Sequence, residues 1–318
     1  MAEEHSRHCG LVLRTVESGA AAVQSPVAAS WCRSALRYGL RPDDRPFVER
    51  LDESALRAVR EAAGGLPDLA QATLDALFAS VGRSGACLLL ANGDGIVLDM
   101  RTTEAERETF AGHGLAPGAN WSEMREGTNG IGTSLIEQRA VTILRDEHFA
   151  CRNTGVSCMA SPIFDPDGHV IAALNVSSAR ADLGDTALLV AALVQDAARA
   201  IERDMFCERF GAARIMLAPA ERQGGGPALL AVDRDDLVIG ATRAARRQLG
   251  FEAGTPLPPR PIGDLLGEPQ VQGFEDGDRA VLRQALARAG GNVSAAARLL
   301  GIGRATFYRR MERVGMGG

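Results

Sequence analysis

The chain has 318 residues, 46% of them apolar, and a formal net charge of −5, enough for two or three domains with substantial cores. No stretch approaches the roughly 18 continuous apolar residues of a membrane-spanning helix, and the polar start shows no secretory signal, so a cytoplasmic protein is expected. All 35 basic residues are arginine, which excludes chemistry that needs a lysine, such as a Schiff base or a Gly-x-x-x-x-Gly-Lys phosphate loop.

Residues 1–63 read as a helical lead-in. Apolar spacing predicts helices over Val12–Gly19, Ser25–Tyr38 and Leu51–Ala63, with Gly39 and Pro42 closing the second and Gly64-Gly65 the third. Trp31, inside Pro26-Val-Ala-Ala-Ser-Trp-Cys-Arg33, reads as a packing residue. Residues 64–206 read as one mixed domain. Its predicted elements are a helix over Leu69–Val81, strands over Ala86–Ala91 and Ile96–Met100 around Asn92-Gly-Asp-Gly95, and a short strand over Ala140–Leu144. A second hairpin, Ser157–Phe164 with Val170–Val176, turns at Asp165-Pro-Asp-Gly168, and a long helix covers Asp182–Phe210. A small antiparallel sheet backed by helices is a small-molecule sensor architecture.

Between the hairpins lies a segment read as irregular, residues 118–135. Its Gly127, Gly130 and Gly132 allow close approach of backbone to backbone or to a ligand, and Thr128 and Asn129 supply donors and acceptors. Trp121-Ser-Glu123, Gly127-Thr-Asn-Gly-Ile-Gly-Thr133, Glu147-His-Phe149, Cys158-Met-Ala-Ser-Pro-Ile163 and Asp165-Pro-Asp-Gly168 together resemble the GAF domain of acetoin-catabolism-type regulators. Pro26, Ser30-Trp31 and Tyr38-Gly39 match the lead-in of the same family. A departure is Leu174-Asn175, where the family commonly has Leu-Asp. The resemblance implies a ligand-sensing pocket, for which the candidates are Trp121, Thr128, Asn129, His148, Phe149 and Cys158. The effector is an unidentified small molecule. No metal or other cofactor is expected, because His148 and Cys158 lack ligand spacing.

Along the long helix, Leu183, Ala187, Val190, Val194, Ala197 and Ile201 recur by fours and threes and read as a coiled-coil-like seam for a homodimer. Residues 207–270 follow, with a linker at Gly224-Gly-Gly-Pro227. Strands over Ala228–Val232 and Leu237–Ile239 and a helix over Ala241–Leu249 resemble the opening of a PAS domain, cut short. Thr255–Pro261, with four prolines, reads as a second linker.

Residues 276–318 read as three helices. The first carries Val281, Leu282, Ala285, Leu286 and Ala289. Asn292 is suited to cap the second, which carries Val293, Ala296, Ala297 and Leu300 and stops at Gly301. The third begins at Arg304 and carries Phe307, Met311 and Val314. From Asp276 onward there are eight arginines against three acidic residues, a local charge of +5 in a chain of −5, the footprint of a nucleic-acid module on an acidic body. Gly-Asn, the Ala-rich helix, Leu-Gly-Ile and Arg-x-Thr-Phe-Tyr-Arg-Arg resemble the helix-turn-helix of the Fis family. That resemblance implies that Arg304 reads a base and that Thr306, Arg309 and Arg310 touch phosphates. It also places Asn292 and Ser294 at the DNA backbone, with Tyr308 on the same polar face. Gly303 departs from the family's Ser, Asn or Thr and removes one side-chain contact to DNA.

The fold expected is therefore α+β and multidomain: a GAF-like antiparallel sheet with helices, a short PAS-like remnant and a C-terminal all-α Fis-type helix-turn-helix. The function expected is a regulator, not an enzyme, that binds double-stranded DNA in the nucleoid as a dimer under control of the sensor. Relatives with these end domains usually carry a central AAA+ ATPase acting on sigma-54 polymerase. Here the space between them is too short and lysine-free for one. The sign of regulation stays open: repression by occlusion, activation by contact with RNA polymerase, or modulation of an ATPase-containing related regulator through mixed dimers. The alternative is a thiol-based redox sensor or enzyme on the GAF fold using Cys87, Cys151 or Cys158, where Arg152 beside Cys151 offers the electropositive neighbour a thiolate needs. An architectural, DNA-bending protein leaves the sensor without a role.

Overall fold

The structure is a computed structural model that describes residues 2–18, 23, 25–44, 49–82, 85–218, 226–234, 236–252, 254–255, 257–266 and 274–316. It divides into two compact units, Met1–Pro259 and Arg260–Gly318. No helix among the described residues is long and apolar enough to cross a membrane.

The first unit is built on five antiparallel strands: β1 (Ala86–Asn92), β2 (Val97–Arg101), β3 (Val141–Ile143), β4 (Ser157–Phe164) and β5 (Val170–Ser178), in the order β2-β1-β5-β4-β3. Successive side chains on a strand point to opposite faces, and β1 is apolar on both. Leu88 and Leu90 face a layer made of α4 (Leu66–Val81) and α8 (Thr186–Arg209). Cys87, Leu89 and Ala91 face the other layer, with Phe110, Leu115, Trp121 and Ile131. A strand buried on both faces reads as a continuous apolar run, which is how Ala-Cys-Leu-Leu-Leu-Ala reads.

On the first face, Leu66, Ala70, Leu74, Leu77 and Val81 of α4 pack with Ala187, Val190, Val194, Ala197 and Ile201 of α8. The apolar period expected to form a dimer seam is thus covered within its own domain. A three-and-four spacing marks any amphipathic helix, and here the sheet supplies the partner surface. The outward face of α8 still carries Leu188 at 69% exposure, Leu189 at 67% and Leu193 at 42%.

On the second face lie α1 (Ala2–Ser18), α2 (Pro26–Cys32, continued as a π turn over Arg33–Arg37), α5 (Glu104–Gly112), α6 (Glu123–Glu126) and α7 (Gly130–Glu137), while α3 (Glu53–Ala62) lies against the edge strand β2. The segment expected to be irregular therefore contains two short helices. Glycines hide its helical period, but Asn129 caps α7 by accepting from the Gly132 amide at 2.9 Å. The lead-in is not separate from the sensor: Trp31 Nε1 donates to the Glu147 carbonyl at 2.8 Å, and Val12, Trp31 and Phe149 form one small core.

After α8 comes an antiparallel meander, β6 (Arg214–Leu217), β7 (Leu229–Val232) and β8 (Leu237–Ala241), followed by α9 (Arg243–Leu249). The strand β6 is absent from the sequence reading, because four residues after a long helix carry too little pattern. In the second unit, α10 (Ile262–Leu266), α11 (Phe274–Arg288), α12 (Val293–Leu299) and α13 (Arg304–Arg313) follow. The division of units falls inside the proline-rich stretch expected as a linker, though Pro256 lies outside the described residues.

Among the described glycines, Gly132 leaves the least room for a side chain. A Cβ there would lie 2.2 Å from the Glu123 amide nitrogen, where backbone crosses backbone. Gly132→Ala is expected to cost about 1–3 kcal/mol or more of unfolding free energy in urea titration. Gly112→Ala, with nothing within 4 Å of the new methyl group, should be neutral or stabilising by up to about 1 kcal/mol. Equal effects would contradict the backbone crossing.

Candidate DNA interface and sensor site

In the second unit, Asn292 caps α12, accepting from the Ala295 amide at 3.0 Å. Gly301 then turns the chain at φ +65°, with open space around it, so it is the backbone conformation that calls for glycine there. Its amide donates to Arg298 and the next amide, Ile302, to Ala297, which together close the carbonyls left open at the helix end. Phe307 is fully buried with Leu282, Ala285, Ala296, Ala297 and Val314, so one aromatic ring sets the angle among all three helices.

That frame leaves one polar face on α13. Arg304, Tyr308, Arg309 and Arg310 are exposed, and Thr306 is half-buried. The Arg304 guanidinium lies 5.7 Å from the centre of the Tyr308 ring, and Arg309 donates to Thr306 Oγ1 at 3.5 Å. Arg310 and Arg313 both reach back to Asp278 on α11, Arg310 at 3.9 Å. Sequence reasoning missed Asp278, since acids ahead of a basic helix read as surface charge. Among the described residues no carboxylate pairs with Arg304 or Arg309. At the entry to α12, Asn292 is exposed and Ser294 half-buried.

In the sensor, the six candidate pocket residues are all buried. Trp121 lies in the core under β1 and donates from Nε1 to the Gly114 carbonyl at 3.1 Å. Thr128 shares a 2.7 Å hydrogen bond with Ser30. Asn129 spends its side chain locally, accepting from Gly132 and donating to the Gly127 carbonyl at 2.8 Å. Phe149 presses on Gly127, whose Cβ position is 2.5 Å from the ring. Cys158 lies 3.3 Å from Ser177 Oγ, and Gly130 sits directly above, with a Cβ position 2.6 Å from Cys158 Cβ and 2.5 Å from Asn175 Oδ1. The start of α7 therefore packs flush against the sheet at Cys158 and Asn175, and side chains fill this face.

His148 Nδ1 donates to the Arg145 carbonyl at 3.0 Å, while its own carbonyl accepts from His8 Nε2 at 2.9 Å. Its Nε2 is buried and has no hydrogen-bond partner among the described residues. Burial pushes this imidazole down from 6.5 to about 4, with the neighbouring His8 and His113 adding to the effect against the Arg145 carbonyl. It is therefore a neutral packing group at neutral pH.

Two buried carboxylates were not singled out from sequence. Glu123 accepts from Arg33 at 3.0 Å and from Ser30 Oγ at 3.0 Å, and Arg33 also reaches Glu137 at 2.9 Å. Glu126 pairs with Arg152 and accepts from Asn153 at 3.3 Å, and its carboxyl is held above the ordinary range by burial, which outweighs Arg152. Both come from one short Glu-Met-Arg-Glu helix, and their arginine partners lie too far away in sequence to be paired with them beforehand. Arg152 therefore serves a carboxylate, not a thiolate.

Cys151 is joined to Cys9 in a disulfide, so it is not the free thiol that the redox alternative on Cys87, Cys151 or Cys158 calls for. The two are 142 residues apart and meet because α1 packs on the 145–153 segment. Burial pushes the Cys87 thiol up, and pushes Cys158 up to about 11 despite the hydrogen bond from Ser177. Both are protonated, unreactive thiols at neutral pH. Beside the disulfide lies an open cleft of about 890 Å³, lined by His8, His113, Arg145, Arg152 and residues of α1. Among the described residues no group of His, Cys, Asp and Glu is placed to hold a metal ion.

The family model for bacterial regulatory proteins of the Fis family matches residues 274–313, and that of the GAF domain matches residues 65–202. The acetoin catabolism regulatory protein of Cupriavidus necator is 30% identical over 230 residues, which cover 71% of this chain and 34% of that protein. The acetoin dehydrogenase operon transcriptional activator AcoR of Bacillus subtilis is 28% identical over 60% of this chain and 33% of its own length. Among solved structures, the E. coli DhaR(N)–DhaL complex contains a chain with a TM-score of 0.52 at 15% identity, covering 76% of this chain and 81% of that one, a likeness of fold. This chain carries a GAF domain and a Fis-type helix-turn-helix, and is homologous to the acetoin-catabolism and related operon regulators. It spans about a third of the length of those relatives.

The burial of His148 has a pH signature. Between pH 6.5 and about 4 the unfolded chain takes up a proton at this residue that the native fold refuses, so stability falls as pH is lowered through that window, by about 3 kcal/mol from this group. Urea midpoints measured across the window should vary less in His148→Asn than in the parent. An unchanged acid slope would count against a neutral, buried His148.

Proposed function

We propose that this chain is a cytoplasmic transcriptional regulator, without ATPase activity, that binds specific DNA as a dimer. Its GAF domain responds to a small molecule or chemical signal and changes that binding. The observation that carries the reading is the α13 face: exposed Arg304, Tyr308 and Arg309, held by a buried Phe307 at the position where a recognition helix enters the major groove. The operon regulators among its relatives support the same reading. Sequence-specific contact falls to Arg304 at the start of the helix, where a guanidinium fits the two acceptors of guanine. Thr306, Arg309, Arg310, Asn292 and Ser294 serve the phosphate backbone.

A single helix-turn-helix covers one half-site, so specific binding calls for a second copy. Since the inner seam of α8 is covered, the dimer is assigned to the outward stripe of Leu188, Leu189 and Leu193. The sheet face at Cys158 and Asn175 is filled, so a small-molecule signal either displaces the start of α7 or enters beside α1. Linkage requires that signal to favour one state of the dimer over the other. RNA polymerase, or a related regulator that carries an ATPase, is the protein partner that would read the change.

Two outcomes are expected. Arg304→Ala should lower discrimination between the selected site and random DNA by about 1–3 kcal/mol. Arg310→Ala should weaken both alike and flatten the dependence of affinity on salt, as read by fluorescence anisotropy at several salt concentrations on sites found by selection from genomic fragments. Equal losses on both DNAs for Arg304→Ala would remove it as a base reader. Separately, Leu189→Glu should shift the light-scattering mass in solution from dimer to monomer with the fold retained, and a parent protein that is already monomeric would overturn the dimer.

A further inference from the structure

Away from the sensor's packed face, a cleft of about 270 Å³ opens between β4, α8 and α9, closed at one end by the turn that follows α7. Five arginines line it, Arg139, Arg199, Arg203, Arg243 and Arg247, with one carboxylate, Glu202. Three of the five have a carboxylate nearby outside the cleft: Arg139 lies 3.7 Å from Glu137, which it shares with Arg33, Arg199 lies 2.8 Å from Asp196, and Arg203 lies 2.7 Å from Asp204. Among the described residues, no carboxylate oxygen lies in ion-pair contact with Arg243 or Arg247.

The cleft is built rather than accidental. The Arg243 guanidinium lies 3.7 Å from the centre of the Phe164 ring, stacked where β4 ends. Glu202 accepts from the Phe164 amide at 3.0 Å, so its carboxylate is committed to the strand end. The helix that carries Arg243 and Arg247 is pinned at both ends. Thr242 caps it and also accepts from the Leu229 amide at 3.0 Å. The buried Arg246 of the same helix donates to the carbonyls of Glu252 and Thr255 and lies 3.8 Å from Asp167 in the β4–β5 turn. Two like charges are thus held on one short helix facing a carboxylate that burial discourages from ionising.

We propose that this cleft binds a small organic anion, whose carboxylate or phosphate group is held by the guanidinium groups of Arg243 and Arg247. The volume suits a metabolite of a few carbon atoms, below the range of drug-sized pockets. Guanidinium forks match the oxygen pairs of either anion. The charge balance agrees. Burial and the like charge of Arg247 hold the Arg243 pKa below arginine's usual value, against the pull of Glu202, and burial pushes the Glu202 carboxyl up to about 7. A bound anion relieves the Arg243–Arg247 repulsion. The site goes beyond the sensor function proposed above: it lies outside the GAF inner face and joins α8 of the sensor to the meander that follows.

The test is isothermal titration of the full chain with succinate, citrate and inorganic phosphate, each against sodium chloride at matched ionic strength. At least one should bind saturably at one site per chain with a dissociation constant below about 10 mM. The carboxylate and phosphate arms then identify the head group. Arg247→Gln, an exposed position whose change leaves the core intact, should weaken binding about tenfold or more, the loss expected for charge-assisted hydrogen bonds. Arg243→Gln should do the same, and Arg57→Gln, at an exposed arginine of α3 away from the cleft, should leave the affinity unchanged. No saturable binding of any of the three anions overturns the proposal, as does binding that Arg247→Gln leaves intact.

Discussion

The sensor depends on one close approach, that of the α7 backbone to its surroundings. At Gly132 the chain passes over the backbone of residues 121–123, and at Gly130 it rests on Cys158 and Asn175 of the sheet. No side chain fits at either point, so main chain covers the sheet there, while Phe110, Leu115, Trp121 and Ile131 pack on the same face beside it. Everything outside that layer follows from it. Asn129 has to cap α7 with its own side chain, Thr128 is left to meet Ser30, and the Glu123–Glu126 turn delivers two carboxylates into the interior.

Those carboxylates explain why the lead-in helices belong to the sensor body. An ionised group removed from water needs a partner and further hydrogen bonds. Glu123 finds Arg33 and Ser30 from α2 and its π turn, and Glu126 finds Arg152 and Asn153. Such pairs contribute more to alignment than to net stability, because desolvation offsets most of their attraction. They hold α1 and α2 over the 145–153 segment, where Trp31, Phe149 and the Cys9–Cys151 disulfide complete the layer.

The DNA-binding unit follows a simpler rule. Three short helices share one buried ring, Phe307, and small residues at Ala296 and Ala297 let them approach it. With the apolar side chains spent inwards, arginine is what remains outwards. Asp278 then divides that basic face, drawing Arg310 and Arg313 towards α11 while Arg304 and Arg309 stay free of carboxylates among the described residues. The acidic first unit and the basic second unit share one chain but carry opposite charge, which suits a division between a unit that avoids DNA and one that seeks it.

Much of this was legible in the order of residues. Short apolar runs bounded by Asn-Gly-Asp-Gly and Asp-Pro-Asp-Gly specify both hairpins, and Asn292, Gly301 and Phe307 specify the helix-turn-helix, because capping, left-handed turns and apolar spacing are local. The glycines of residues 127–132 announced close approach, but whether a ligand or the protein's own backbone would fill the space was decided only when α7 met the sheet. The same holds for the α8 seam, whose period is identical whether a second chain or α4 covers it. Pairings such as Arg33 with Glu123, Cys9 with Cys151 and Arg243 with Phe164 join residues about eighty or more apart. Local sequence carries no record of such meetings, since they arise from how packed elements are arranged in space.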